Sequence, residues 1–334
     1  MSRPSTLRTS PRVRSLKPSG PLSPQPDKAR SFISLGDFSV EDVERCLALA
    51  SELKAARASG RRSAYTPLAG RHVALLFDKP SLRTRVTFEV AVRELGGWPM
   101  LLPADVALGA REPVADVARN LERWVDVVVI RTFAQQIVEE FASAAPSLRV
   151  VNALTDEEHP CQALADLLTL RERFGALKGR TVAYVGDGNN VATSLAEACV
   201  MQGMRVHVAS PAGYELPEGV RERVAAVASR GGSLAIFTDP VQAVRGASAV
   251  YTDVWTSMGQ EDEMAIRLNA FAGYQVNEAL MAYAQPDAVF MHCLPAHRGE
   301  EVSAGVVDGA GSVVFDQAEN RLHAQKALLA MLFE

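Results

Sequence analysis

Four short stretches of this 334-residue chain hold side chains whose types and spacing can do chemistry on a small polar molecule. In Ser81-Leu82-Arg83-Thr84-Arg85, two hydroxyls flank a guanidinium directly after an apolar run. If a helix starts there, its free N–H groups and partial positive charge suit a phosphate, and Arg83 adds a planar bidentate donor. The plain alternative is a capped helix with a solvated basic first turn. Two arginines at a helix N-terminus oppose the dipole, however, which points to a compensating anion. In His159-Pro160-Cys161-Gln162, an imidazole and an amide lie three residues apart, one helical face on. That pair is either a helix cap or a site for a small carbonyl or amide ligand, and it suits such a ligand better than a metal. In Asp253-Val254-Trp255-Thr256-Ser257-Met258-Gly259, a carboxylate and a hydroxyl four apart suit an ammonium, with a solvated turn as the alternative. In His292-Cys293-Leu294-Pro295, adjacent residues at a strand end point to opposite faces, so His292 is poorly placed as a base for Cys293.

These stretches must be positioned by regular elements. Apolar spacing predicts a helix over Val40–Ala58 capped by Ser39, a strand His72–Phe77, and a helix from a Ser81 cap to Arg93. Strand Trp98–Leu102, helix Val114–Trp124, strand Val125–Ile130, helix Gln135–Ala144 and strand Val150–Asn152 follow. Helix His159–Phe174 and strand Thr181–Val185 open a second series, with strands Arg205–Ala209, Leu234–Phe237, Ala249–Tyr251 and Ala288–Met291. Helices fill the intervals to Gln202 and over Pro217–Arg230, and helix Ala318–Leu332 closes the chain. Strands alternating with helices predict an α/β fold of two doubly wound parallel-sheet domains linked by inter-domain helices. The expected division is 31–155, 156–317, and a final segment 318–334 that crosses back to the first domain, with a hinge near Thr155–Pro160. In such sheets ligands sit outside the carboxyl ends of strands, where all four stretches fall. The turn Gly186-Asp187-Gly188-Asn189-Asn190 lacks the third glycine of a dinucleotide fingerprint, so it argues weakly for NAD and leaves Asn190 to offer an amide to a polar group.

Composition narrows the classes. Hydrophobic residues make up 48% and charged residues 22%, as in soluble globular proteins, and no apolar run approaches a bilayer span. A net charge of −4 gives no global basic field for nucleic acid. Cys46, Cys161, Cys199 and Cys293 form no Cys-x-x-Cys pair, which fits reduced thiols and a cytoplasmic setting rather than a metal site. Residues 1–30 differ: Arg3, Arg8, Arg12, Arg14 and Lys17 stand among six prolines, with no acid before Asp27. Such a segment reads as a disordered tail, or as a transit peptide to an organelle matrix, although its prolines oppose the helix transit peptides use.

Together the motifs FDKPSLRTR, HPCQALADLLTL, DVWTSMGQE and HCLPAHRGEEV resemble those of the ornithine and aspartate carbamoyltransferase superfamily, in the family's order and over nearly the whole chain from Phe32. The resemblance implies carbamoyl transfer from carbamoyl phosphate to L-ornithine, giving citrulline and phosphate. It implies that Ser81, Leu82 (through its backbone), Arg83 and Thr84 bind the phosphate. Arg131, His159 and Gln162 would hold the carbamoyl group, with Cys293, Leu294 and Arg321 of QAENR completing that pocket. Arg131, His159 and Cys293 would be the catalytic set, with Cys293 or the bound phosphate accepting the amine proton. Asn190, Asp253, Ser257 and Met258 would bind ornithine. It implies no metal or other cofactor, no nucleic-acid or membrane partner, and a homotrimer or a multiple of one. Three departures stand out: Leu82 where most members have Thr, Ala107 where many have a Gln that reaches a neighbouring subunit's phosphate, and Cys161, which with SLRTR echoes the N-acetylornithine branch. An N-acetyl- or N-succinylornithine carbamoyltransferase is therefore the nearest alternative, and Asp253 favours free ornithine because a free α-ammonium needs a carboxylate.

Overall fold

Val73 and Leu75 of the first strand enter one apolar cluster, and Ala74 and Leu76 enter another. That alternation is what a strand with helices on both faces requires. The structure is a computed structural model that describes residues 29–60, 65–103, 111–257 and 259–334. The basic tail up to residue 28, Ala107 and Met258 lie outside the described residues.

The strand is β1 (His72–Phe77), and it pairs in parallel with β2 (Trp98–Leu102) and β3 (Val127–Arg131). β4 (Arg149–Leu154) extends the sheet, giving the order β2-β1-β3-β4. A second all-parallel sheet contains β5 (Thr181–Val185), β6 (Arg205–Ala209), β7 (Ser233–Phe237), β8 (Ala249–Tyr251) and β9 (Val289–Met291), in the order β7-β6-β5-β8-β9. Both orders reverse direction in the chain, between β1 and β3 and between β5 and β8. Those reversal points, at the carboxyl ends of the strands, are where an open α/β sheet leaves a crevice.

Two helices bind the halves together. α1 (Val40–Ala58) starts at a reciprocal cap in which Ser39 Oγ accepts the Asp42 N–H and the Asp42 carboxylate accepts the Ser39 N–H, both at 3.1 Å. α2 (Arg83–Glu94), α3 (Val114–Leu121) and α4 (Gln135–Ala144) flank the first sheet, and α5 (Pro160–Phe174) leads to the second. Around the second sheet lie α6 (Asn190–Met201), α7 (Glu218–Ala226), α8 (Pro240–Val244), α9 (Met264–Ala270), α10 (Glu278–Met281) and α11 (Ala304–Val307). The last helix, α12 (Val314–Met331), packs on α5, α1 and α2. Lys326 of α12 bonds Glu94 at 2.7 Å, and Arg149 Nε donates to the Leu332 carbonyl at 2.7 Å, so the chain end is fastened to the first sheet. α12 begins at Val314 rather than Ala318, with Asp316 in its first turn where the helix dipole favours an acid. α2 also differs from expectation: its cap position is Leu82, and Ser81 makes no capping bond.

Candidate active site

A cavity of about 1260 Å³ opens between the carboxyl ends of the two sheets. Its walls come from the loop after β1, the end of β3, the turn after β5, the loop after β8, the loop after β9, and α12. Because α2 has no side-chain cap, its first-turn N–H groups are left to a ligand; Val86 is the first to bond back, to the Leu82 carbonyl at 3.1 Å. Arg83 lines the cavity, whereas Arg85 turns away to pair with Glu89 at 3.2 Å. Thr84 is buried and its Oγ1 accepts from Arg321 Nη2 at 2.5 Å.

Arg321 is the centre of this wall. Its second nitrogen, Nη1, donates to Gln162 Oε1 at 2.9 Å, and its Nε has no hydrogen-bond partner although it is buried. Arg131, at the end of β3, is also buried with an unpartnered Nε. Burial, with Arg321 and Arg83 close by, lowers its pKa to about 10, which still leaves it charged at neutral pH. Three guanidiniums around one space, two of them with buried unsatisfied donors, form a cradle for an anion. His159 sits at the start of α5 beneath them. Burial pushes its pKa well below the ordinary value, and Arg321, Arg131 and Lys79 push the same way, so the imidazole is neutral.

The other wall is acidic. Asp253 accepts from Cys293 Sγ at 3.0 Å and from Asn189 Nδ2 at 2.9 Å. Ser257 follows on the same loop, its N–H held by Gln260 Oε1 at 3.1 Å. Asn190 lines the cavity while its amide donates to the Thr155 carbonyl at 2.5 Å, so it ties the second domain to the hinge. Leu294 borders the cavity with a left-handed φ of 61°, a conformation a leucine adopts only under constraint, and its N–H is held by His292 Nδ1 at 2.8 Å.

Of the residues marked from the sequence, Ser81, Leu82, Arg83, Thr84, Arg131, His159, Asn190, Asp253, Ser257, Cys293, Leu294 and Arg321 line this one cavity. Gln162 lies one layer behind, covered by Arg321. His292 is fully buried, with a ring nitrogen within 4.8 Å of the Cys293 thiol, but Nε2 engages Glu301 at 3.2 Å and Nδ1 accepts the Leu294 N–H at 2.8 Å. Three residues were missed. Lys79, buried in the wall, pairs with Asp156 and lies 4.3 Å over the Phe133 ring. Its place within FDKPSLRTR was the available signal. Asp187 and Arg267 form a buried pair at 2.7 Å that fixes α9, behind the loop of Ser257, to the turn after β5. Gly188 of that turn serves packing: a Cβ there would meet the Leu216 nitrogen at 2.4 Å.

Comparison with known proteins agrees with this geometry. Residues 30–172 match the carbamoyl-P binding domain of aspartate/ornithine carbamoyltransferases, and residues 178–332 match their Asp/Orn binding domain. The chain is 51% identical over 307 residues to an ornithine carbamoyltransferase of Anoxybacillus flavithermus, covering 91% of this chain and 97% of that one. It is 54% identical over 304 residues to one of Geobacillus stearothermophilus, covering 90% and 96%. The solved ornithine carbamoyltransferase of Pyrococcus furiosus superposes with a TM-score of 0.87 at 48% identity, covering 90% of this chain and 96% of that one. With both family domains matched in order across the two sheets, the chain belongs to the aspartate/ornithine carbamoyltransferase family.

Proposed function

We propose that the protein is an ornithine carbamoyltransferase, which transfers the carbamoyl group of carbamoyl phosphate to the δ-amine of L-ornithine, a step of arginine metabolism. The observation that carries this reading is a single cavity with a cationic wall on the first sheet and an Asp253-bearing wall on the second. Its volume exceeds the ~300–1,000 Å³ usual for one small ligand, as two reactants require.

In this reading residues 31–155 and 318–334 hold carbamoyl phosphate, with the phosphate on Ser81, Arg83, Thr84 and the free N–H groups of α2. Residues 156–317 hold ornithine, its α-ammonium on Asp253 and its polar end near Asn190, Ser257 and Met258. The neutral δ-amine attacks the carbamoyl carbon while charge grows on the carbamoyl oxygen. Arg131 stabilises that charge, and the neutral His159 adds a hydrogen bond without competing for the proton. Phosphate leaves onto Arg83 and Arg321. The incoming amine must shed a proton that a lysine-like group holds with a pKa near ~10.4. That proton goes to solvent before attack, and the leaving phosphate takes the second proton, which the nitrogen releases as the C–N bond forms, because Cys293 is held as a thiol. The assembly is a homotrimer and the setting cytoplasmic; four free thiols among the described residues suit a reducing compartment, and no helix among them is long and apolar enough to cross a membrane.

The test is citrulline formation from carbamoyl phosphate, with ornithine and N-acetylornithine compared. Turnover is expected with ornithine alone. Turnover only with the acetylated amino acid would reassign the substrate and the role given to Asp253.

A further inference from the structure

Asp166 lies on α5, one turn beyond Gln162, and no solvent reaches it. Its Oδ1 accepts N–H bonds from Gln162 Nε2 at 2.8 Å and from Gln317 Nε2 at 2.7 Å. Gln317 in turn reaches the Tyr251 hydroxyl at 3.0 Å and accepts the His292 N–H at 3.0 Å. The second oxygen, Oδ2, has no hydrogen-bond partner. No cation among the described residues bonds this carboxyl, and burial raises its pKa to about 7 against the pull of the Gln162 and Gln317 amides, the more distant Arg321 charge and the Tyr251 hydroxyl. A buried acid that no cation bonds is costly, so its place needs a reason.

The reason lies in the amide it holds. A glutamine side chain offers a donor end and an acceptor end of nearly identical shape, and its neighbours decide which way it faces. With Nε2 committed to Asp166, Gln162 turns Oε1 toward Arg321 Nη1, 2.9 Å away. Arg321 enforces the same orientation, but it lines the cavity. If a bound anion draws that guanidinium forward, Asp166 is the bonded partner among the described residues that keeps the amide oxygen facing the cavity. Protonation does not undo this, because the proton has the unpartnered Oδ2 to occupy and Oδ1 remains an acceptor.

We propose that Asp166 is a positioning residue that makes Gln162 an obligate hydrogen-bond acceptor, and thereby selects a carbamoyl group, with its NH2, over the isosteric acetyl group, with its CH3. The inference rests on the carbamoyl-transfer reading above. A site built to accept an N–H is left with an unpaired buried oxygen when a methyl group takes its place, which is how such sites reject isosteres.

The experiment compares the wild type with D166L, D166A and D166N in citrulline formation. It reads the KM for carbamoyl phosphate, the inhibition constant of acetyl phosphate and that of inorganic phosphate. In D166L the acceptor is gone. In D166A, water fills the space and donates or accepts alike, which also serves if D166L does not fold. Both are expected to lose about tenfold or more of the preference for carbamoyl over acetyl phosphate, the order set by one buried hydrogen bond. The constant for inorganic phosphate is expected to stay within about twofold in every variant, since phosphate does not address the amide. In D166N a carbonyl oxygen replaces Oδ1 and an NH2 replaces Oδ2, so the preference is retained. Unchanged preference in a folded D166L or D166A overturns the proposal. So does loss of preference in D166N, which would make charge rather than acceptor geometry the cause, or an equal weakening of all three ligands, which would mean general damage. Absence of citrulline formation by the wild type would instead remove the functional reading itself.

Discussion

At the scale of single residues, Cys293 shows how surroundings decide chemistry. Burial raises its thiol pKa well above the ordinary value, and Asp253 adds to the rise both by charge and as the hydrogen-bond acceptor 3.0 Å from Sγ. Thiolates react and thiols do not. Iodoacetamide is therefore expected to alkylate Cys293 far more slowly at pH 8 than it alkylates free cysteine, as read by mass spectrometry of the peptide. D253N removes the charge, lowers the thiol pKa and is expected to speed alkylation at the same pH. Equal rates in the two proteins would show that access, and not Asp253, controls the thiol. The residue types of the site were legible where one loop supplies both position and chemistry, as with Arg83, Thr84 and Asp253. They were not legible where meaning arises from distant partners. Lys79 becomes a wall residue only through Phe133 and Asp156, which the sheet brings to it. Two adjacent asparagines were also hard to tell apart: Asn189, and not Asn190, caps α6 and bonds Asp253.

At the scale of elements, the hinge between β4 and α5 is held by a buried acidic cluster. The Ser194 hydroxyl of α6 donates to Glu158 and accepts the His159 N–H at 2.9 Å. Arg223 of α7 bridges Glu158 at 3.0 Å and Glu197 at 2.9 Å. Burial and then the Glu197 charge raise the Glu158 pKa from 4.5 to about 7, against the pull of Ser194 and Arg223. Between those two pH values the folded protein holds a proton that the unfolded chain has lost. This group's contribution to stability therefore falls as pH rises through that window, and the penalty is complete above it. E158Q cannot ionise. Its melting temperature relative to wild type is expected to be more favourable at pH 8 than at pH 5, and a difference that does not vary with pH would show that Glu158 is ionised throughout. His323, whose pKa burial lowers to about 4, acts with the opposite sign in both proteins and so cancels in the comparison. The strands that organise this hinge were legible because apolar runs such as HVALLF and TVAYV are buried on both faces and carry no competing helical period. Helix starts were less so. Ser81 reads as a cap, but the structure leaves α2 uncapped and its N–H groups facing the cavity. A local propensity yields there to the wall of the cavity.

At the scale of the whole molecule, a chain of net charge −4 gathers Arg83, Arg131 and Arg321 into one crevice, although they belong to three elements spread over the sequence. The gathering exists only in the folded state. An anion that binds there therefore stabilises the fold by mass action, by about 2.7 kcal/mol when present at a hundred times its dissociation constant. Inorganic phosphate, the product of the proposed reaction, is the simplest probe. Its addition at constant ionic strength is expected to raise the melting temperature by several degrees and to saturate. R83L removes a half-exposed side chain that forms no ion pair among the described residues. It is expected to fold with a melting temperature near that of wild type in chloride, yet to lose most of the rise in phosphate. Arg321 is the contrasting case: truncating it leaves Thr84 Oγ1 and Gln162 Oε1 without their donor inside the fold. R321L is therefore expected to melt lower even without phosphate, by the order of the 1–3 kcal/mol that an unsatisfied buried polar group costs. A wild-type melting temperature that does not respond to phosphate would mean that the three arginines are held together by the fold alone. The unpartnered Nε atoms of Arg131 and Arg321 would then need another occupant.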